Sequence, residues 1–212
     1  MVTSETPHEL MRLFQEGDEA AFQELVRRFK EPIVSFAMRM LNDREKALDV
    51  AQETFVNVFT HAETYRPVAS FTGWLYRIAY NLAINEIRRQ KRQPTLSLDA
   101  PASADPDASS RGLEARDEAP GAEDRLLRGE LHDVVRRCVA GLPARYRGAI
   151  VMKDMEEMTF EEIAQVLGCP ESTVKSRVMR GRRMLRKRLE RYLEPAADAM
   201  PARAVARTLT RS

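Results

Sequence analysis

Apolar residues recur three and four positions apart along most of this chain, which is the spacing of one helical face, and no segment reads convincingly as a strand. The first stripes consist of Phe22, Leu25, Val26 and Phe29 and, beyond Pro32, of Ile33, Phe36, Ala37, Met40 and Leu41. Asp18 can cap the first of these helices. Pro32 is expected to break or kink it, because proline removes a backbone donor and crowds the preceding turn.

Two further helices follow the same rule. Asn42 or Asp43 can cap a helix with an apolar side of Ala47, Val50, Ala51, Phe55, Val58 and Phe59. After a polar stretch, Ser70 can begin a long helix that ends near Arg92 and carries Phe71, Leu75, Ile78 and Leu82. These helices can bury one shared core, so residues 1–93 are predicted to form one domain.

The segment from Gln93 to Asp124 breaks the pattern. It is rich in Pro, Ala, Ser and Asp, and its eight acids and two bases give a net charge of −6. Such a segment cannot bury enough apolar surface to offset its ordering entropy, so residues 94–124 are predicted to be a flexible acidic linker. Two roles stay open for it: a tether between domains, or a chain whose acids follow a basic path on a partner.

Helical spacing returns in residues 125–193, which are predicted to form a second helical domain. Its first helix has an apolar face of Leu127, Leu131, Val134, Val135 and Cys138. Gly141 and Pro143 end that helix and start another, whose inner residues are Ala149, Ile150 and Met152. Residues 194–212 are predicted to be a disordered tail. The fold class is therefore all-α, with two small domains joined by the linker.

A helix-turn-helix is predicted inside the second domain. Thr159 and Glu162 have the spacing of a capping box, in which each side chain accepts a backbone N–H. Gly168 stands where the chain must leave the helix in a left-handed conformation, and Pro170 suits the start of the next helix. The buried side of the first helix is expected to be Ile163, Ala164 and Leu167.

The second helix of this motif divides into an apolar stripe and a basic face. The stripe that should face inward is Val174, Val178, Gly181, Leu185 and Tyr192. From Glu171 to Leu193 there are nine bases and two acids, a net charge of +7. A helix that is only solvated would interleave acids for pairing one turn apart. DNA phosphates and major-groove base edges account for the charge and for the small polar residues at the helix start.

The last helix of the first domain also carries a polar strip. Arg77, Asn81, Asn85, Arg88 and Arg92 fall within one quadrant of its helical wheel, beside the apolar strip. Trp74 and Phe71 could stack on unpaired bases, although packing in the core is the more common use of such aromatic residues.

Composition narrows the class of protein. The chain has 212 residues, 43% hydrophobic and 31% charged, with a net charge of only +2. No apolar run reaches the roughly 20 residues of a membrane span, and no secretory signal is recognisable, which predicts a cytoplasmic protein without membrane insertion. Cys138 and Cys169 lack metal-ligand spacing, the three histidines are scattered, and no Gly-rich phosphate loop is present. Neither an enzyme nor a cofactor or metal site is predicted.

Three segments together resemble the extracytoplasmic-function (ECF) sigma factors of bacterial RNA polymerase. They are DVAQETFVNVF, FTGWLYRIAYNLAINEIRRQKR and the long run from LPARYRGAIVM to GRRMLRKRL. Their order resembles that of sigma region two (residues 1–93), a linker, and sigma region four (residues 125–193). One position departs from the family, which commonly has an acidic residue where Leu48 stands.

The resemblance implies binding to core RNA polymerase, recognition and melting of promoter DNA, and control by an anti-sigma factor. Polymerase binding is implied for Asp49, Gln52, Glu53 and Asn57, and −10 binding for Arg77, Asn81, Asn85, Arg88 and Arg92. Binding of the −35 element is implied for Ser172, Thr173, Lys175, Ser176, Met179, Arg180 and Arg183. The loop at residues 61–70 resembles the one that receives a flipped base. A stand-alone repressor or activator would use the same helix-turn-helix but leaves the first domain unexplained.

Overall fold

The computed structural model describes residues 5–67, 70–92 and 122–197. Within these ranges the chain is helical and contains no strand. The helices are α1 (Pro7–Gln15), α2 (Glu19–Leu41), α3 (Arg44–Thr60), α4 (Phe71–Arg92), α5 (Ala122–Ala140), α6 (Ala144–Ile150), α7 (Phe160–Leu167) and α8 (Glu171–Ala197). A 3-10 turn at Ala62–Thr64 follows α3, and a π-helical turn at Val151–Met155 follows α6. The prediction of an all-α fold with two helical domains is confirmed.

Short polar side chains set the first helix boundaries. Asp18 accepts a hydrogen bond from the Ala20 N–H at 2.9 Å and so caps α2. Of the two residues that could cap α3, Asp43 does so by accepting from the Lys46 N–H. Asn42 instead ends α2 in a left-handed conformation with φ 54°, which asparagine tolerates better than most residues.

Of the break or kink expected at Pro32, the break is wrong, because α2 continues through the proline to Leu41. Buried side chains lie on both sides of the proline, with Leu25 before it and Ile33 and Phe36 after it. All three contribute to one core, so their burial offsets the hydrogen bond that proline removes from the helix.

The core of the first domain lies between α2, α3 and α4. Phe36 is fully buried and meets Tyr76 edge-on, with 5.1 Å between the ring centroids. Phe71 packs against Phe29 at 5.4 Å. Thr54 is buried but satisfied, since its hydroxyl donates to the Val50 carbonyl at 2.7 Å.

The second domain follows the predicted order, with several differences in burial. Cys138, Ala149, Ile150 and Met152 are buried as predicted. Leu131, predicted to be buried, is 43% exposed, and Val139 is buried instead. The side chain of Leu127 lies outside the described residues. Helix α5 begins a few residues before the predicted domain start, and α8 extends a few residues past its predicted end.

The helix-turn-helix is present at α7 and α8. The capping box is formed in both directions between Thr159 and Glu162, and Gly168 ends α7 with φ 59°. Val174 and Val178 are buried as predicted, whereas Tyr192 is 48% exposed and its predicted inward position is wrong. It stands in the final turns of α8, beyond the other four residues of the stripe.

The two domains pack directly against each other, mainly through α4 on α7 and α2 on α5. Glu156, just after the π-helical turn, accepts hydrogen bonds from Arg39 of α2 and from the Tyr76 hydroxyl of α4. Arg147 of α6 donates to the Met40 carbonyl at the end of α2. The helical pattern of either domain alone contained no sign of this contact.

Candidate functional site

The basic face of α8 points to solvent along its first three turns. The buried stripe of Val174, Val178 and Gly181 fixes the rotation of the helix against α6, where Ile150 approaches Gly181 closely. The predicted −35 residues are therefore accessible: Ser172, Lys175, Met179, Arg180 and Arg183 are exposed, and Thr173 and Ser176 are half-buried. Met179, 67% exposed, offers an apolar contact within this polar face.

Some of the bases on α8 have acidic partners. Lys175 pairs with Glu171 at 3.2 Å and Arg186 with Glu190 at 2.9 Å, each one turn apart. Arg182 pairs with Asp154, which joins α8 to the π-helical turn. Arg183 is exposed and has no ion-pair partner among the described residues. Exposed pairs of this kind are weak, so the helix keeps its capacity to bind phosphate.

Tyr146 of α6 is a neighbour of the basic face that the sequence did not single out. Hydrogen bonds with Arg180 and Arg145 hold the pKa of its hydroxyl below the ordinary value of tyrosine. The Arg145 guanidinium also lies over the Tyr146 ring, 4.8 Å from its centroid. Arg180 on α8 is thus a neighbour of the Tyr146 hydroxyl on α6. No periodicity could have revealed this, because α6 and α8 are separated in sequence.

The polar strip of α4 is exposed along its whole length. All five predicted residues, Arg77, Asn81, Asn85, Arg88 and Arg92, reach solvent, while Leu75, Ala79 and Ala83 are buried on another side of the helix. Asn85 borders a polar cleft between α3 and α4, where Lys46 and Arg89 both pair with Glu86.

Trp74 is half-buried, with one face against other aromatic rings. Its ring centroid lies 4.9 Å from Tyr65 and 5.9 Å from Phe71. Phe71 itself is buried, so stacking of Phe71 on unpaired bases would require the core to open. Burial raises the pKa of Tyr65 to about 12. Part of the predicted base-binding loop, residues 68 and 69, lies outside the described residues.

Helix α3 separates three of the four predicted polymerase-binding residues onto two surfaces. Asp49 and Glu53 border the polar cleft with α4, whereas Gln52 borders an apolar groove with α2. Asn57 is half-buried and donates to the Glu53 carbonyl at 2.8 Å. The structure thus brings three of the four to solvent on either side of one helix.

The apolar groove between α2 and α3 is a functional candidate that the sequence reading missed. Leu48, Val56 and Phe59 are exposed by 43%, 55% and 55%, so the predicted burial of Phe59 is wrong. The groove is lined by Phe22, Val26, Lys30, Val34, Leu48, Ala51, Gln52, Phe55, Val56 and Phe59. A second apolar stripe at positions 48, 55 and 59 could have indicated it, since one face of α3 was already filled by Ala47, Val50, Ala51, Thr54 and Val58.

The described part of the chain offers no cluster of His, Cys, Asp and Glu that could hold a metal ion. Cys138 and Cys169 are free thiols, and burial raises the pKa of Cys138. Across residues 5–67, 70–92 and 122–197, no helix combines the length and the apolar composition needed to cross a membrane.

Comparison with known proteins finds two family models and many relatives. The family described as Sigma-70 region 2 matches residues 25–93, and that described as Sigma-70, region 4 matches residues 132–185. The RNA polymerase sigma-H factor of Pseudomonas aeruginosa is 33% identical over 196 residues, covering 92% of this chain and 100% of that protein. The ECF RNA polymerase sigma factor SigW of Bacillus subtilis is 36% identical over 179 residues, covering 82% and 92%.

Solved structures show the same fold. CnrH, in complex with the cytosolic domain of CnrY, has a TM-score of 0.62 at 24% identity and covers 85% of this chain and 95% of its own. The sigma factor RpoE of Bartonella quintana, in complex with the anti-sigma factor NepR, has a TM-score of 0.58 at 20% identity, with coverages of 80% and 96%.

Proposed function

Because this chain belongs to the ECF group of RNA polymerase sigma factors, we propose a specific division of labour between its two domains. As a sigma factor it directs core RNA polymerase to promoters and starts transcription. In the proposal, residues 1–93 bind polymerase and the −10 element, and residues 125–193 bind the −35 element. The observation that carries it is the pair of exposed basic surfaces, one on α4 and one on α8, in separate domains.

The −35 element is assigned to the exposed face of α8. Arg180 is assigned to a base edge, because it is exposed beside Tyr146 on this face and arginine donates two hydrogen bonds to guanine in the major groove. Arg183 is placed to contact phosphate. Ser172, Thr173, Lys175, Ser176 and Met179 complete this surface.

The −10 element is assigned to the polar strip of α4. Amides at Asn81 and Asn85 can bind base edges or sugars, and Arg77, Arg88 and Arg92 can bind phosphates. Flipping a base out of the duplex costs a few kcal/mol, so the protein must supply a pocket that compensates. The half-buried Trp74, beside the loop at residues 61–70, is suited to one wall of that pocket.

Transcription by purified components tests the proposed function. The isolated chain should bind duplex DNA weakly, and adding core polymerase should give specific initiation from a library of genomic promoters. Core polymerase alone is the control. Tight, site-specific binding by the isolated chain with no effect on polymerase would show that it is instead a stand-alone repressor or activator.

Polymerase binding is assigned to α3, and a paired substitution tests it. Gln52 and Glu53 are both exposed, and alanine is a good helix former. Replacing both with alanine should therefore weaken core polymerase binding by roughly tenfold or more, with little change in helix content or melting temperature. Binding can be measured by fluorescence anisotropy of the labelled chain.

The matched control is Gln23→Ala with Glu31→Ala, which removes the same two side-chain types from exposed positions on α2. A large loss of thermal stability in the Gln52 and Glu53 variant, with polymerase binding intact, would mean that the pair is structural. The same binding measurement on a second variant, Leu48→Ser with Phe59→Ser, tests whether the apolar groove also contacts polymerase.

Several further assignments belong to the proposal. An anti-sigma factor is proposed as a regulatory partner, as the resemblance to the family implies. The protein is proposed to act in the cytoplasm, without enzymatic activity and without a cofactor. Residues 94–121 of the predicted acidic linker lie outside the described residues, and its last three residues belong to α5. Both roles for the linker, tether or occupant of a basic path on polymerase, remain part of the proposal.

A further inference from the structure

One carboxylate joins the two domains of this chain. Glu156 accepts a hydrogen bond from Arg39 at 2.5 Å and from the Tyr76 hydroxyl at 2.7 Å. Only 10% of the Glu156 side chain is exposed, and Tyr76 is 4% exposed. Both partners belong to the first domain, on different helices, so Glu156 holds α2 and α4 to the second domain simultaneously. Hydrogen bonds to an ionised group that is shielded from water are the stronger kind.

A second polar contact crosses between the domains near the first. The Arg147 guanidinium donates to the Met40 carbonyl in the last turn of α2, and to the Ala140 and Leu142 carbonyls of its own domain. The carbonyls at a helix end have no partner within the helix and carry partial negative charge. Arg147 therefore completes the end of α2 from the opposite domain.

Further contacts between the domains lie along one side of α4. The Tyr80 ring lies so close to Gly148 of α6 that a Cβ there would come within 2.6 Å of it. At Gly73, the nearest atom to an added Cβ is Oε1 of Gln165 on α7, at 3.6 Å. One side of the proposed −10 helix is thus covered by the second domain, while its polar strip stays exposed.

With the two domains packed together, α4 and α8 cannot contact the −10 and −35 elements at the same time. Centres of elements at −35 and −10 are about 25 base pairs apart, or about 85 Å along B-DNA at 34–36 Å per turn. Helix α4 is about 33 Å long, and the part of α8 from Glu171 to Arg183 spans about 20 Å. Helix α4 packs directly on α7, and α7 packs on α8, so at the usual 8–10 Å between packed helix axes the two DNA-binding helices lie roughly 20 Å apart.

Like charges also meet at this interface. Burial raises the pKa of Tyr80, and the charges of Arg177 on α8 and Arg88 on α4 both oppose that shift, so the closed arrangement brings basic residues of the two DNA-binding helices near one hydroxyl. Their repulsion opposes closure. Glu156 supplies a negative charge between the domains and is the ion-pair partner of Arg39.

We propose that Glu156 is the latch of an intramolecular closure: the free chain holds its domains together through Arg39 and Tyr76, and must release them to bind a promoter. This inference rests on the proposed assignment of α4 and α8 to the two elements. Release exposes groups that water can satisfy, so the contact is suited to opening. Polymerase binds the open chain. The apparent affinity of polymerase for the protein therefore decreases as the closed fraction of the protein increases.

Small-angle scattering of the full chain tests the latch without any transcription assay. Glu156→Gln removes the charge that faces Arg39, and it should raise the radius of gyration by on the order of 5 Å as the domains separate. Glu157→Gln is the matched control, since it removes the same charge at the adjacent, exposed position and should leave the radius unchanged. The double exchange Arg39→Glu with Glu156→Arg reverses the ion pair and should restore the compact form.

Binding of core polymerase gives a second measure, in which Glu156→Gln should associate several-fold faster than wild type. A wild-type chain that is already extended, or a Glu156→Gln chain that stays compact, would overturn the latch. If Glu156→Gln fails to fold, the charge exchange decides: a folded, extended exchange variant contradicts the proposal, and a compact one supports it. Failure of the proposed function would appear separately, as wild-type chain that does not support initiation.

Discussion

Replacing Phe36 with alanine is expected to lower the free energy of unfolding of the first domain by about 3–5 kcal/mol. Phe36 is fully buried in the middle of α2 and packs edge-on against Tyr76 of α4. Its removal leaves a cavity between the two helices and takes away the ring that supports Tyr76. A typical domain is stable by only about 5–15 kcal/mol, so this loss is a large share of the total.

Trp74 makes the measurement specific to the first domain. It is the single tryptophan of the chain and is packed against Tyr65 and Phe71, so its fluorescence in a urea titration follows unfolding of that domain. Val56→Ala is the control, because Val56 lies on α3 with 55% of its surface exposed and should change stability by no more than about 0.5 kcal/mol. A Phe36→Ala loss as small as that of Val56→Ala would contradict the packing described for α2 and α4.

Replacing Arg180 with alanine is expected to cost about 1–3 kcal/mol of −35 binding and to relax the preference at one base pair. Arg180 is exposed on α8 beside the Tyr146 hydroxyl, and its guanidinium is the group assigned to the base edge. Replacing Arg183 should instead weaken binding to all sequences alike and reduce the salt dependence by about one released counterion.

Each of these two arginine variants is the control for the other, since both substitutions remove one positive charge from the same exposed helix face. Binding of the holoenzyme to promoter fragments with each −35 base changed in turn, at several salt concentrations, separates the two effects. Equal, sequence-independent losses from both variants would mean that Arg180 binds phosphate and that base reading belongs elsewhere on α8.

Local signals in the sequence were sufficient to predict the helices and the helix-turn-helix motif. Asp18, Asp43 and Thr159 each cap a helix by accepting an N–H two or three residues ahead, so the interaction is contained in a few neighbouring positions. Gly168 ends α7 in the left-handed conformation that its place in the pattern required. The resemblance to sigma factors rested on the same segments, and the family comparisons confirm it.

Burial at the ends and edges of helices was less predictable. Phe59, Leu131 and Tyr192 fit apolar stripes, yet all are exposed, because periodicity gives the side of a helix and not what lies opposite. Pro32 shows the reverse effect. A local rule predicted a break or a kink, and α2 continues through the proline, with buried residues on both sides. The apolar groove between α2 and α3 likewise exists only because two helices meet there.

The sequence by itself thus determined an all-α sigma factor, most of its helix ends, and the two helices proposed to read DNA. Only the tertiary structure decided how those helices face each other. Arg39 and Glu156 are 117 positions apart, and Tyr76 and Glu156 are 80 apart. A glutamate after a helix is ordinary in sequence. It becomes a contact between domains because folding brings a guanidinium and a hydroxyl to it, where little water can reach.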